Sequence, residues 1–238
     1  VEVVRSRTAC AQAEAEFIVG ALLSLLRRLP VMGADGSFVG RELGAATVGL
    51  LGMVPAARSL SQLLAAFGSH VLGYDPSLHS SDALWERWRV RPAGLHELLE
   101  ECDAVCVQLA YFSRYHGLLG ERFLRSCKPN QVIVSIAHAG LFDEAALAGA
   151  LASGRIAGVW LDSVEPGMLD EGRPLYGVQN LQVTPRLSGT TRESRLRSSW
   201  TVVKRINELL SHSPAAPREL SSTGTSVPAD LVGSPALQ

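Results

Sequence analysis

The sequence predicts an α/β fold in which helices cover both faces of a doubly wound parallel sheet. Two observations predict it. Short apolar runs rich in β-branched residues recur along the chain, and helix-length segments with helical apolar spacing separate most of them. The runs are apolar throughout rather than alternately polar, which is typical of parallel strands buried on both faces.

The composition limits the class of protein. The chain has 238 residues, enough for one well-buried domain and part of another, and 47% of them are hydrophobic. A formal net charge of −1 gives no electrostatic reason to expect nucleic acid or a membrane surface as a partner. Cys10, Cys102, Cys106 and Cys127 lack the paired spacing of a metal site. We therefore expect no metal, and free thiols in a reducing cytoplasm.

Residues 1–4 are predicted to be the end of a strand, and the first predicted helix spans residues 12–29 and ends before Pro30. Its side chains are apolar on nearly all sides, so we expect it to be covered all round and to lie between domains or subunits. Its apolar core is about half as long as a bilayer-spanning helix. A polar, glycine-containing connection follows over residues 32–40.

The alternating elements follow from residue 46. Strands are predicted over residues 47–51, 71–74, 104–109, 132–136, 156–161 and 181–183. Helices are predicted over residues 56–67, 95–101, 121–126, 144–152 and 191–210. Residues 212–238 are rich in Ser, Pro, Ala and Thr, and we expect them to form a disordered tail.

The turn after the first of these strands matches a dinucleotide fingerprint in part. In the Rossmann pattern Gly-x-Gly-x-x-Gly/Ala, Gly52 takes the first position and Ala57 the third, but Val54 occupies the second. A valine side chain there restricts the approach of the pyrophosphate. Overpacking costs about 1–3 kcal/mol, or about 5- to 150-fold in affinity. We expect weakened NAD binding, and a greater penalty if position 54 requires a positive φ.

The second strand ends at Asp75, which follows Gly52 at about the 20-residue spacing of the acid that accepts hydrogen bonds from the adenine ribose. An acid at this position repels a 2′-phosphate and so favours NAD over NADP. The alternative is a turn-forming Asp-Pro pair at a strand end.

Residues 136–166 read IAHAGLFDEAALAGALASGRIAGVWLDSVEP. They resemble a signature of the D-isomer-specific 2-hydroxyacid dehydrogenases, in which Arg-Gly-Gly-Leu-Val-Asp-Glu leads through a helix to Gly-Arg-Ile-Ala-Gly and a strand ending in Leu-Asp-Val. The similarity extends from about residue 1 to about residue 210. It implies a Rossmann-type domain over residues 41–190, NAD as the cofactor and a small 2-hydroxy or 2-keto acid as the substrate.

The resemblance also implies the remaining organisation. Members of this family begin with a flavodoxin-like substrate lobe, and residues 1–40 are then the remnant of an incomplete lobe with its linking helix. Residues 191–211 correspond to the C-terminal helix that returns toward that lobe. Since most of the lobe is absent from the sequence, we expect a homodimer or association with a separate N-terminal lobe.

The catalytic positions depart from the family pattern. His138 stands where the family has its substrate-binding arginine, and Arg186 stands where it has its catalytic histidine. The family's catalytic acid would fall at Gly167, whereas the nearest acid is Glu165. The resemblance gives Asp162 a contact with the nicotinamide side of the cofactor. Arginine cannot act as a base near neutral pH, so the usual assignment of roles fails here.

Three interpretations remain open. In the first, the exchanged pair works as an NAD-dependent oxidoreductase: Arg186 holds the substrate carboxylate, His138 exchanges the proton, and Glu165 assists. In the second, the chain is a non-catalytic nucleotide-binding or scaffold homologue. In the third, His138 and Arg186 are ordinary surface residues and no site survives.

Overall fold

A seven-stranded parallel sheet forms the centre of the molecule. The computed structural model describes residues 3, 4, 6, 8–33 and 35–211, so the tail predicted over residues 212–238 lies outside it. A hairpin of β1 (Val31–Met32) and β2 (Phe38–Val39) precedes the sheet. The sheet contains β3 (Thr47–Leu51), β4 (His70–Tyr74), β5 (Arg91–Pro92), β6 (Ala104–Val107), β7 (Gln131–Ser135), β8 (Ile156–Leu161) and β9 (Leu181–Val183). Their order is β5-β4-β3-β6-β7-β8-β9, which confirms the predicted fold class.

Helices cover both faces of this sheet. They are α1 (Ala11–Arg28), α2 (Pro55–Phe67), α3 (Ala83–Trp88), α4 (Leu95–Glu101), α5 (Glu121–Arg125), α6 (Glu144–Ala152) and α7 (Arg192–Ser211). Buried side chains of α1, α2 and α3 pack in one core cluster, and those of α4, α5 and α6 pack in a second. This division is the doubly wound arrangement. Among the described helices, none is long and apolar enough to cross a membrane.

The observed elements differ from the predicted ones in a few places. Strands β3, β8 and β9 have the predicted bounds, and the others shift by one or two residues. The segment predicted as a plain connection over residues 32–40 contributes to the β1–β2 hairpin. The edge strand β5 was not predicted. Strands of two residues are too short to carry a hydrophobic period, which explains both differences.

Helix α1 is covered on one side only. Ile18, Leu22 and Leu25 are buried, and the helix packs against α2, β7 and β8. Its opposite side is exposed and carries Gln12, Glu16, Gly20, Leu23 and Arg27. The expectation of a helix covered all round is therefore not met within the described residues. Most of the exposed positions are polar or lack a side chain, so α1 needs no second apolar partner.

Helix α7 has an unusual surface. Its exposed apolar side chains recur every three or four residues and so share one side of the helix: Leu196, Trp200, Val203, Ile206 and Leu210. Ser194 is its one buried residue among those described. The Arg197 Nε donates a hydrogen bond of 3.0 Å to the carbonyl of Ala9, which joins α7 to the segment before α1.

Candidate functional site

The predicted site residues meet at the carboxyl edge of the sheet. Strands β3 and β6 are neighbours at the point where the strand order reverses. Ligands of such sheets bind in the crevice beyond the strand ends at this reversal. Gly52 follows β3 and Gln108 follows β6, while His138, Glu165 and Arg186 follow β7, β8 and β9. Because parallel strands end at the same edge, residues distant in sequence become neighbours here.

Gly52 is fixed by the backbone around it. It has a φ of +101°, and a Cβ at this position would lie 2.7 Å from the Leu109 nitrogen and 2.9 Å from the Gln108 carbonyl carbon. No side chain fits that space without moving backbone. Ala57, at the third fingerprint position, is fully buried in the first turn of α2. Both positions match what the dinucleotide fingerprint requires of them.

Val54 adopts an ordinary extended conformation. Its φ is −73° and its ψ is 169°, and it precedes Pro55, the first residue of α2. Position 54 therefore does not require a positive φ, and the greater penalty considered from the sequence does not apply. The partly exposed valine side chain still lies at the N-terminus of α2, where a pyrophosphate would approach the backbone amides.

Asp75 ties the glycine turn to the end of β4. Its Oδ2 accepts a hydrogen bond of 2.7 Å from the Met53 amide, and its Oδ1 accepts from the Ser77 amide and hydroxyl. A carboxylate has about four acceptor positions, so these three bonds leave one for a ligand hydroxyl. Its geometry is compatible with the predicted ribose contact and also explains the shape of the turn.

Gln108 was not predicted from the sequence. Its side chain is only 4% exposed, and neither its amide nitrogen nor its amide oxygen has a partner among the described residues. Buried polar groups are nearly always paired, so this unpaired amide is an exception, and it belongs to a residue whose backbone lies beside Gly52. Together with Gly52, Ala57 and Asp75, Gln108 fits a dinucleotide site. The Val54 side chain narrows the space through which the pyrophosphate approaches the backbone.

His138 and Glu165 lie side by side. His138 caps a single turn over Ala139–Leu141, and its Nδ1 accepts a hydrogen bond of 3.2 Å from the Gly140 amide. A neutral ring in this position therefore carries its proton on Nε2. That Nε2 lies 3.1 Å from the Glu165 Oε1, and both side chains remain partly exposed, at 34% and 45%. The imidazole thus has a carboxylate partner and an open side.

An aromatic ring fixes the orientation of this imidazole. Tyr111 stacks on His138 with ring centroids 4.2 Å apart and an interplanar angle of 19°, and its hydroxyl lies 3.2 Å from the His116 Nδ1. A Cβ on Gly140 would lie 3.1–3.3 Å from atoms of all three rings. The sequence did not reveal this role of Tyr111, although its place just after β6 was a signal.

Arg186 is held by backbone geometry. It has a φ of +56°, and its amide donates to the Asp162 carbonyl at 2.8 Å. The Arg186 Nε donates to the Ser163 hydroxyl at 3.3 Å. No carboxylate in the described part of the chain pairs with its guanidinium, so the charge is free to meet an anion.

Asp162 positions the loop that carries Arg186. Its side chain is 2% exposed and accepts three hydrogen bonds, from the Thr184 hydroxyl and from the amides of Leu187 and Ser188. Its carboxylate is thus committed mainly to this loop. The nicotinamide contact implied by the family resemblance stays a prediction.

His138, Asp162 and Arg186 border a single cleft. A cavity of about 360 Å³ is lined by His138, Asp162 and Arg186, together with Cys10 and Glu14 from the start of α1. Burial, and then the charge of Asp162, raises the pKa of Glu14 above its ordinary value. Glu14 was not predicted from the sequence, although a charged residue on a largely apolar helix was a signal. The cleft combines a free cation, an imidazole with a carboxylate partner, and a second acid.

Comparison with known proteins places the chain in a family. Residues 24–188 match the model of the D-isomer specific 2-hydroxyacid dehydrogenase, NAD binding domain. The chain is 33% identical over 191 residues to a (S)-sulfolactate dehydrogenase of Chromohalobacter salexigens, covering 80% of this chain and 62% of that protein. It is 32% identical over 216 residues to a D-3-phosphoglycerate dehydrogenase of Mycobacterium tuberculosis, covering 87% of this chain and 40% of that one.

Solved structures agree on the fold. A D-isomer specific 2-hydroxyacid dehydrogenase from Lactobacillus delbrueckii ssp. bulgaricus, in its NAD complexed form, superposes with a TM-score of 0.70 at 24% identity, covering 90% of this chain and 70% of that one. The chain spans less than two thirds of the length of the curated relatives named above. The matched segment includes the glycine turn, Asp75 and His138, and it ends just after Arg186. The chain belongs to the D-isomer specific 2-hydroxyacid dehydrogenases, and the matched segment is their NAD-binding domain.

Proposed function

We propose that the chain transfers hydride between NAD(H) and a small 2-hydroxy or 2-keto acid, with the usual roles of arginine and histidine exchanged between the two positions. The observation that supports this most strongly is the contact of 3.1 Å between His138 and Glu165 beside a cleft that Arg186 also lines. An imidazole with a carboxylate partner is the general acid–base pair that the reaction needs.

Arg186 holds the substrate carboxylate in this proposal. Its guanidinium is planar, permanently charged and able to form two parallel hydrogen bonds with a carboxylate. The bond from its Nε to Ser163 limits the rotation of the side chain. The Asp162 hydrogen bonds to the loop keep that backbone in place. The substrate carbon that reacts is thereby fixed relative to the strand ends.

His138 moves the proton at its Nε2. Nε2 gives its proton to the carbonyl oxygen of a keto acid from the imidazolium form of the ring, in which Nδ1 is also protonated and no longer accepts from the Gly140 amide. In the oxidative direction Nε2 takes the proton of the substrate hydroxyl, and the negative charge of Glu165, whose Oε1 lies 3.1 Å from Nε2, stabilises the imidazolium that forms. The stacked Tyr111 keeps the ring in the plane that allows both contacts.

The nucleotide end supplies binding rather than chemistry. NAD, when bound, exchanges the hydride. Gly52 lets the backbone come close, Asp75 accepts from a ribose hydroxyl, and Gln108 offers its unpaired amide. We expect Val54 to weaken the affinity, and Asp75 to favour NAD over NADP.

Association completes the proposal. The apolar side of α7 is exposed over several turns, which fits its assignment as the helix that returns toward a substrate lobe. We propose that a second copy of the chain or an N-terminal lobe covers it, in a protein of the cytoplasm. Light scattering that shows one monomeric mass at all concentrations would argue against the second copy.

Reduction of a panel of 2-keto acids by NADH tests the proposed reaction. We expect turnover by the wild type, and a fall of about 100-fold or more in His138→Ala. His96→Ala is the matched control, because His96 is an exposed histidine of α4 that lies beside Ser126 rather than in the cleft. Unchanged activity in His138→Ala refutes the proposal. Intact folding and NADH binding without turnover on any acid would instead establish the non-catalytic nucleotide-binding homologue.

A further inference from the structure

Two unpaired and opposite charges line the same cleft. The Glu14 carboxylate and the Arg186 guanidinium both border the cavity of about 360 Å³. Within the described residues neither has an oppositely charged partner, and they do not form an ion pair with each other. Glu14 is partly buried, and removing a charged group from water without a partner is unfavourable, so a ligand cation is stabilised there. The exposed guanidinium of Arg186 is available to the anionic group of the same ligand.

The surroundings of Glu14 show what its ligand must carry. Its Oε1 lies 3.4 Å from the place where a side chain on Gly189 would begin, so the carboxylate faces the loop after β9. Burial and the charge of Asp162 raise the pKa of Glu14. Asp162 already accepts three hydrogen bonds and needs no further donor. A positively charged group of the ligand is the partner that Glu14 lacks.

We propose that the cleft binds a 2-amino acid, with the ligand carboxylate on Arg186 and its protonated nitrogen on Glu14. A 2-hydroxy acid offers Glu14 only a neutral hydroxyl, which compensates the partly buried charge less well. The inference rests on the proposed function through the role of Arg186 as the carboxylate clamp. It does not depend on hydride transfer.

Matched ligands separate the two classes. Alanine and lactate differ by one nitrogen in place of one oxygen, and each enantiomer of both is titrated calorimetrically into the whole chain saturated with NADH. Both ligands and the cofactor are then in reduced form, so no turnover occurs. We expect one enantiomer of alanine to bind about tenfold or more tightly than the matching lactate. We expect Glu14→Gln to abolish that preference.

Glu16→Gln is the control variant. Glu16 lies on the same helix but on its exposed side, where it accepts a hydrogen bond from Gln12. The variant removes the same charge from the helix without changing the cleft, and we expect it to keep the preference for alanine. Circular dichroism of both variants verifies that α1 is intact.

Three results overturn the inference. They are equal or tighter binding of lactate, no binding of either ligand, and an unchanged preference in Glu14→Gln. The charged ring of oxidised NAD is the other cation that could meet Glu14. If Glu14→Gln weakens NAD⁺ relative to NADH and leaves the alanine preference unchanged, the charge serves the cofactor. Preference for alanine in a chain without turnover on keto acids supports this inference and refutes the proposed function.

Discussion

The glycine turn at Gly52 and the cleft between His138 and Arg186 lie on the same sheet edge but are built in different ways. At Gly52 the shape is set by backbone, since a positive φ and three neighbouring main-chain atoms exclude every side chain. In the cleft the shape is set by side chains, through the contacts of His138 with Glu165 and Tyr111.

This difference explains which residues have changed. A position defined by backbone contacts tolerates only glycine, and Gly52 matches the family. A position defined by side-chain contacts can change if a new partner lies within reach, and Glu165 is such a partner for His138. The nucleotide end therefore keeps Gly52, although Val54 replaces its second glycine, while the cleft has a cation and an imidazole at exchanged positions.

The largest expected effect is on the backbone-defined turn. Gly52→Ala should lower the free energy of unfolding by about 3–5 kcal/mol, because the alanine must adopt a positive φ and its Cβ meets the Leu109 nitrogen. Urea denaturation measures it. Gly149→Ala is the control, since no atom lies within 4 Å of its added Cβ in the middle of α6, and it should stabilise the fold by about 0.5–1 kcal/mol. Equal effects of the two variants would show that the backbone does not restrict position 52.

The next effect concerns the side-chain-defined cleft. Glu165→Gln removes the charge that stabilises the His138 imidazolium and should lower kcat about 100-fold, while the Kd of NADH and the stability change little. Steady-state kinetics and a fluorescence titration measure both. Glu171→Gln should have no effect, because Glu171 is exposed and has no partner in the described chain. A kcat that the Glu165 variant leaves unchanged would show that the contact is only structural.

A smaller effect is expected at Val54, a side chain within the backbone-defined glycine turn. Val54→Gly should tighten NADH binding about tenfold, because the side chain is removed from a position whose φ of −73° glycine also adopts. It should cost up to about 1 kcal/mol of stability through chain entropy. Val54→Ala should give an intermediate Kd. Identical Kd values for all three proteins would show that the valine side chain does not face the cofactor.

The smallest effect concerns pH. Since the pKa of Glu14 is raised in the folded protein, the stability given by its protonated form is present below about pH 4.5 and is lost as the pH rises through the folded pKa. Glu14→Gln mimics the protonated form at every pH. It should therefore be more stable than the wild type at neutral pH, by less than about 1 kcal/mol because the group is partly exposed. Thermal melts should show this advantage disappearing at pH 4, and Glu16→Gln should show no such dependence.

The sequence predicted the sheet well because its strands are buried on both faces and are therefore apolar throughout. Strands β3 and β8 are mostly buried and have the predicted bounds, whereas the edge strand β9 is only partly buried. The hairpin β1–β2 and the edge strand β5 have too few residues for any pattern. Helix α1 was predicted to be covered all round because its composition is mostly apolar. Most of its few polar residues lie on the exposed side, and the composition alone does not show this.

The site was predicted less completely, because a one-dimensional pattern does not show which side chains meet across the fold. Family spacing pointed to Gly52, Asp75, His138 and Arg186. It did not point to Tyr111, Glu14 or Gln108, since only the folded chain shows that Tyr111 stacks on His138, that Glu14 lines the cleft and that the Gln108 amide is buried. At Val54 the residue was identified from the sequence, but its conformation was not. Its backbone angle could not be read from the residue type.

The hydrogen bond from Arg197 to Ala9 joins two segments that the ribosome makes far apart in time. Cys10 and Glu14 form one wall of the cleft, and the loop carrying Arg186 forms the other, so the two walls come from opposite ends of the described chain. On the ribosome, a nascent chain that stops before about residue 186 already holds the whole glycine turn but lacks half of the cleft. Incomplete chains can therefore form the glycine turn while they lack Arg186, the residue that we propose binds the substrate carboxylate.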